Sequence, residues 1–366
     1  MADRPLSLIH FLPSFAYGGQ QRRLATLVEH LGQAFKHRIC SLDGDISATP
    51  LVASYENVVV EPFVLAKSGF LSISNIATIR AAITRSGADL LCTYNFGSIE
   101  AAVANKLGAR LPHVHHEDGF GADELQGELT RRAIARRVLL GKAQIVVPSQ
   151  TLEKIAIESW RIRRDRLFRI RPGIDLNRFS VIERKEGREI VVGAVGALRA
   201  EKNFLRLIRC FEAAAKDRNA HLVIYGEGPE RAALEGAIAD SPLRDRMRLM
   251  GAIEAPEKAY SGFDVFALTS DTEQTPISLM EAMASGSPVV ATDVGDVSAL
   301  LSSGAEGNVF AAADETAFSR RLAELLDDQA ARRRLGERNA ETAKSFDQKR
   351  MIELFRSLYL DAANER

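Results

Sequence analysis

Cysteine is scarce in this chain: Cys40, Cys92 and Cys210 are its only three, and they lie far apart. They form no CxxC pair and no disulfide framework, which excludes a small stapled secreted domain and points to a reducing, cytosolic compartment. Net charge is also absent, with 48 Lys+Arg against 48 Asp+Glu. Bulk electrostatic attraction to nucleic acid is therefore excluded as the basis of function. No apolar run approaches the ~20 residues of a membrane span. The first residues lack the basic-then-apolar build of a secretory signal. No GxGxxG with a later acidic partner occurs, which argues against a nicotinamide-dependent dehydrogenase.

What is present is an ordinary globular composition, 46% hydrophobic and 26% charged over 366 residues. That length suggests two domains at roughly 100–200 residues each. Short apolar runs alternate with helical patterns from end to end. Ser7–Leu12 reads as a buried strand, and Leu24, Leu27, Val28 and Leu31 then recur at helical spacing. Further strands are expected at Arg38–Leu42, Asn57–Val60, Asp89–Thr93, His113–His116 and Gln144–Val147. The pattern restarts with strands at Glu189–Val195, His221–Tyr225, Asp264–Leu268 and Pro288–Ala291, and helices at Asn203–Ala215 and Ile277–Ser285. Strand–helix alternation implies βαβ units and parallel sheets. The expected organisation is an N-terminal doubly wound domain over 1–172, a linker at 173–187 and a second such domain over 188–345. A final helix over 346–366 then packs back on the first domain. Ligands of such sheets bind beyond the carboxyl ends of the strands, so the two domains are expected to face a central cleft.

The segment Ser270–Gly295 carries the clearest chemistry. A polar loop with Glu273 leads into a helix starting near Ile277, with Glu281 inside it. A helix start with free N–H groups suits an anion such as a diphosphate. Carboxylates make strong charge-assisted hydrogen bonds to sugar hydroxyls. Two of them, eight residues apart, suit an elongated ligand with separated polyols; read alone, two such glutamates are more often solvated surface acids.

The motif Glu273-x7-Glu281 followed by EAMASGSPVVATDVG resembles the donor-binding segment of family 4 retaining glycosyltransferases, which have the GT-B fold. Tyr17-Gly18-Gly19 with QQRRLATLVEHL resembles the family's Gly-Gly loop. VPSQTLEKI with RPGIDLNRF, GALRAEKNFLRLI and YGEGPERAALE resemble its interdomain crossing, phosphate-binding Lys segment and Gly-x-Gly-Pro turn. The resemblance implies a nucleotide-diphosphate sugar donor and a sugar or lipid-linked acceptor, with no resident cofactor and no metal. Glu281 would take the ribose hydroxyls, and Glu273 would touch the sugar near the reacting face. Backbone N–H groups of Gln274, Thr275, Pro276 and Ile277 (Pro276 supplying only its place in the turn) would frame the sugar and diphosphate. Lys202 would neutralise the departing diphosphate, which a fixed cation beside a helix end does well. Glu227 and Gly228 would line the nucleotide pocket, and Gly18 and Gly19 would let a ligand approach the backbone. His116 or Asp118 would stand beside the sugar. The family's usual Arg five residues before the Lys is Ala197 here, with Arg199 as the substitute cation. Gln21, Pro172-Gly173 and Gln274 are further departures from its pattern. Alternatives to transfer are a GT-B-shaped nucleotide-sugar epimerase and a non-catalytic sugar-nucleotide-binding protein.

His113, His115 and His116 with Glu117 and Asp118 are the densest ionisable cluster. Residues alternate in direction along a strand, so His115 and His116 should diverge, against a metal site. Charge is uneven: residues 1–180 carry a net +6 and the remainder a net −6. Arg131–Arg171 holds 12 basic against 3 acidic residues. That face is expected to make peripheral contact with an anionic membrane or a lipid-phosphate acceptor at the cytoplasmic surface. The Ser68–Ser74 and Phe120–Gln126 segments are the expected acceptor loops, and they carry no readable code for donor or acceptor.

Overall fold

The structure, a computed structural model, describes residues 4–66, 71–119, 129–181, 189–253, 255–301 and 308–365. The Phe120–Gln126 segment, residues 68–70 of the other expected acceptor loop and 182–187 of the expected linker lie outside the described residues. The chain divides into two compact units, Met1–Pro172 with Lys349–Arg366, and Gly173–Gln348.

Unit 1 contains strands β1 (Leu6–Leu12), β2 (Phe35–Ser41), β3 (Val58–Pro62), β4 (Leu90–Tyr94), β5 (His113–His116), β6 (Gln144–Val147) and β7 (Leu167–Arg169). They form one parallel sheet in the order β3-β2-β1-β4-β5-β6-β7. A parallel sheet is covered on both faces, and the central strands are apolar on both. In β1 the two-residue period is plain: Leu8 and Leu12 join one core cluster, Ile9 and Phe11 another. The helix Gly19–Leu31 brings Leu24, Leu27, Val28 and Leu31 to the first cluster. The C-terminal helix Gln348–Asn364 completes that layer with Met351, Ile352, Phe355, Leu358 and Tyr359. On the other face Ile79 and Ile83 of the helix Ile73–Ser86 meet Ile9, Phe11 and Leu91.

Unit 2 contains β8 (Ile190–Val195), β9 (Ala220–Tyr225), β10 (Met247–Gly251), β11 (Val265–Leu268), β12 (Val289–Thr292) and β13 (Val309–Phe310). Their order is β10-β9-β8-β11-β12-β13, again all parallel. Leu207, Ile208 and Phe211 of the helix Phe204–Ala215 pack with Phe318, Leu322 and Leu325 of the helix Glu315–Asp327 over one face. Residues 173–181 also belong to this unit. Ile174 pairs in parallel with Asp347, and the Phe179 ring meets Tyr260 edge-on at 5.8 Å.

The expected strands are present with ends shifted by up to three residues, and β7, β10 and β13 are additional edge strands. In each sheet the winding reverses once, between β1 and β4 and between β8 and β11. Those reversals leave a crevice at the carboxyl ends of the strands, where doubly wound sheets bind ligands.

Candidate functional site

In unit 2 the loops after β8 and β11 flank the reversal, and they are cross-tied. Lys202 Nζ lies 2.5 Å from Glu273 Oε1, which also accepts from Ser270 Oγ at 2.8 Å. Lys202 thus joins the β8 loop to the β11 loop through charge. The backbone repeats the tie, with Asp271 N–H donating to the Glu201 carbonyl at 2.8 Å. Asn203, left-handed at φ 44°, starts the helix Phe204–Ala215 by accepting from the Arg206 N–H. Arg206 in turn reaches the Thr269 carbonyl at 2.8 Å and the Asp271 carboxylate at 2.7 Å. The result is a pre-organised ammonium and carboxylate held by three layers of polar contact.

The chain then turns into the helix Ile277–Ala284, whose start at Pro276 has no side-chain cap. A helix start of this kind is where an anion can bind. Glu281 lies in the second turn, where its Oε2 accepts from the buried Tyr260 hydroxyl at 2.7 Å. The preceding loop is braced from behind. Asp296 N–H donates to the Gln274 carbonyl at 3.0 Å, and Thr292 Oγ1 to the Ser270 carbonyl at 2.6 Å. Gly295, at φ +55°, approaches so closely that a Cβ there would sit 2.1 Å from the Glu273 carbonyl oxygen.

The β9 loop joins the same edge. Leu198 N–H donates to the Glu227 carbonyl at 2.9 Å, and a Cβ on Gly228 would fall 2.4 Å from the Leu198 carbonyl oxygen. The Glu227 carboxylate pairs with Arg231 at 2.7 Å. Arg199 is exposed beside Lys202 in sequence. Lys202, Glu273, Gln274, Thr275, Pro276, Ile277 and Glu281 thus belong to two loops and one helix start around a single reversal, with Glu227 and Gly228 on the adjoining loop.

Unit 1 gathers a second set. Gly18 precedes the helix Gly19–Leu31, and Gly19 is its first residue. Asp118, just past β5, ties to this helix through Gln20 Nε2 and both terminal nitrogens of Arg23, Arg23 Nη2 at 2.8 Å. Its backbone N–H is held by Asn95 Oδ1 at 2.8 Å. The structure therefore brings Asp118 to the glycine-initiated helix.

His116 is different, and the expectation of a side chain beside the sugar is corrected here. Its ring is buried, stacked on Tyr94 at 4.5 Å and on Phe355 at 5.5 Å, with the Tyr359 hydroxyl 3.4 Å from Nε2. Burial, then the nearby Arg23 charge, push its pKa well below the usual histidine value. It is an aromatic core residue under the C-terminal helix. His115 points to the other face, toward Thr93 and Glu117. Among the described residues no group of three or more His, Cys, Asp or Glu side chains is arranged to hold a metal ion.

The basic segment is also revised in part. Arg136 is fully buried, pairs with Glu117 at 2.9 Å and lies over the Phe96 and Trp160 rings at 5.0 and 4.9 Å. Arg163 pairs with Asp165, and Arg169 with Glu153. No described helix is long and apolar enough to cross a membrane. Sequence reading missed Ser270, Tyr260 and Arg206, which brace the glutamates and their loop, and Gln20 and Arg23, which hold Asp118. Arg23 carried a usable signal: it occupies an inward position of an amphipathic helix, where an arginine needs a buried partner.

The family model described as Glycosyl transferases group 1 matches residues 177–342, and that described as Glycosyltransferase Family 4 matches 17–178. N-acetyl-alpha-D-glucosaminyl L-malate synthase of Bacillus anthracis is 24% identical over 172 residues, 47% of this chain and 45% of that protein. D-inositol 3-phosphate glycosyltransferase of Paenarthrobacter aurescens (strain TC1) is 25% identical over 244 residues, 63% of this chain and 60% of that protein. The matched stretches thus span about half the length of these relatives. In structure, Anabaena Alr3699/HepE in complex with UDP superposes with a TM-score of 0.81 at 16% identity, covering 97% of this chain and 100% of the other. Two parallel doubly wound sheets, the loops gathered at the unit 2 reversal and the two adjoining family matches lead to one conclusion: the chain belongs to the family 4 glycosyltransferases of GT-B fold.

Proposed function

We propose that this glycosyltransferase is a retaining, metal-independent enzyme. It moves a sugar from a nucleotide-diphosphate donor to an acceptor hydroxyl in polysaccharide or glycolipid synthesis. The observation that carries this reading is the Lys202–Glu273–Ser270 cluster beside the uncapped helix start at Ile277. A fixed ammonium and the positive end of a helix stabilise the charge that develops on a departing diphosphate. Glu281, oriented by Tyr260, takes the ribose hydroxyls of the donor, while Glu273 binds the transferred sugar. Glu227, Gly228 and Arg199 line the nucleotide side. Gly18, Gly19 and Asp118 belong to the acceptor and diphosphate side.

In the step itself the bond from the anomeric carbon to the diphosphate oxygen breaks, and the bond to the acceptor oxygen forms on the same face. The acceptor proton passes to the departing diphosphate oxygen, so no strong protein base is required. The Anabaena structure similar to this chain carries UDP, which supports a nucleotide diphosphate as the leaving group here. The exposed part of the Arg131–Arg171 segment presents the protein to an anionic, lipid-bearing surface on the cytoplasmic side.

The test is thermal stabilisation by a panel of nucleotide-diphosphate sugars, with wild type and Glu281→Ala. A donor at about 100 times its Kd adds about 2.7 kcal/mol, or roughly 5–11 °C for a unit of this size. The shift is expected with one donor and lost in the variant. No shift with any nucleotide sugar or free nucleotide overturns the reading. Nucleotide diphosphate released only when acceptor is present separates transfer from epimerisation. An inverted anomeric centre in the product, read by proton NMR, refutes retention.

A further inference from the structure

At the amino ends of β5, β6 and β7, the edge of the unit 1 sheet opposite Asp118, lies a cavity of about 930 Å3. Five basic side chains line it, Lys106, Arg110, Lys142, Arg163 and Arg166, against one carboxylate, that of Glu365. Arg163 is matched by Asp165 at 2.7 Å, and Arg166 by Glu365 at 3.2 Å. Lys106, Arg110 and Lys142 have no carboxylate partner among the described residues. Lys106 Nζ donates to the Val138 carbonyl at 3.0 Å. Partial burial and the like charge of Lys142 both push the Lys106 ammonium below its ordinary pKa. Three unmatched cations around one cavity are an electrostatic cost that an anion removes.

The cavity also has a buried polar wall. Gln144 is only 4% exposed; its Nε2 donates to Glu365 at 3.1 Å, and its Oε1 has no partner among the described residues. A buried acceptor left unmade costs about 1–3 kcal/mol, so this oxygen calls for a donor. The phosphate group of a fully ionised monoester cannot serve it, because its oxygens only accept. A hydroxyl can.

We propose that this cavity is a second ligand site, separate from the donor site, and that it binds a polyol phosphate ester. The phosphate sits among Lys106, Arg110 and Lys142, and a ligand hydroxyl donates to Gln144 Oε1. The ester has two possible sources, a free sugar or glycerol phosphate and the headgroup of an anionic phospholipid. Both present the same chemistry. Leu107 and Val138, 61% and 63% exposed and adjoining the Lys106 contact, give a lipid-borne ester an apolar margin.

The experiment is calorimetric titration of the full chain with glycerol 1-phosphate and with inorganic phosphate. A parallel flotation arm uses phosphatidylglycerol–phosphatidylcholine vesicles against phosphatidylcholine alone. The variants are the double substitution Lys106→Ala/Lys142→Ala, at exposed side chains, and Lys202→Ala as the donor-site control. Glycerol 1-phosphate is expected to bind more tightly than inorganic phosphate. Its Kd should rise about tenfold or more in the double variant and stay unchanged in Lys202→Ala. Binding to phosphatidylglycerol vesicles alone, lost in the double variant, supports the site with a lipid source. Binding in neither arm, binding that survives the double substitution, or binding lost in Lys202→Ala instead overturns the proposal. Equal affinity for inorganic phosphate overturns the Gln144 contact.

Discussion

Acidification should unfold unit 1 well before general carboxylate protonation, because four of its histidines, His10, His37, His113 and His116, are held neutral in the sheet. His10 hydrogen-bonds the Tyr94 hydroxyl at 2.9 Å and His37 at 3.0 Å, while His116 lies between Tyr94 and Phe355. Burial, foremost, pushes His10 and His116 well below the usual 6.5, His37 down to about 4 and His113 down to about 3. The folded state then refuses protons that the unfolded chain accepts. Stability from these groups is complete above the unfolded pKa and is lost as pH falls from 6.5 toward the folded values. Between pH 7 and 5 each such histidine costs about 2 kcal/mol. Four together cost about 8 kcal/mol, against a total stability of roughly 5–15 kcal/mol. Trp160 is the sole tryptophan and is fully buried in unit 1, so its fluorescence reports this unit alone. The urea midpoint followed by Trp160 is expected to fall by about 3–4 M between pH 7 and 5. His116→Phe, which keeps the ring stack, should remove about a quarter of that dependence. A midpoint at pH 5 within about 0.5 M of that at pH 7 refutes the reasoning.

Two further substitutions probe the braces behind the donor loops. Gly295→Ala should lose about 1–2 kcal/mol to left-handed strain and about 1–3 kcal/mol to overlap with the Glu273 carbonyl. Gly87→Ala has a similar φ of +62° with nothing within 4 Å of the new Cβ, so it carries the strain alone. Equal losses in chemical denaturation contradict the close approach. Tyr260→Phe removes the 2.7 Å hydroxyl contact to Glu281, worth about 1.5–3 kcal/mol for a charged acceptor. Nucleotide affinity by calorimetric titration should weaken about tenfold, and an unchanged Kd contradicts the positioning role.

The fold was legible where sequence reported both faces of a strand at once. SLIHFL, EIVVGAV and PVVAT are buried on two sides and carry continuous apolar runs. The missed strands sit at sheet edges: β7 is LFR, β13 has two residues, and β10 is MRLMG, with charge inside the run. Edge strands need only one partner and tolerate such residues. Local chain direction was enough to place Glu273 and Lys202 on strand-end loops and Glu281 inside a helix, while their roles rest on the resemblance. His116 could not be judged that way, since its neighbours Phe355 and Tyr359 come from more than 200 residues later. Arg136 misled for the same reason. A run of arginines reads as a charged face, while its buried partner Glu117 lies on another element.

The C-terminal helix Gln348–Asn364 gives unit 1 an unusual position in time. Phe355 and Tyr359 cover His116, and with Met351 and Leu358 they close a core built from the first 172 residues. Those residues leave the ribosome before unit 2, yet their final layer is translated after it. At about 5–20 residues per second the wait is roughly 10–40 s. During that interval the aromatic surface around Tyr94 and His116 is bare while unit 2 is synthesised and folds as an insertion. Unit 2, contiguous over Gly173–Gln348, needs no such delay. The order of completion in the cell is thus reversed relative to the order of synthesis, and a nascent chain stalled before residue 349 would present an unfinished first sheet to the chaperones.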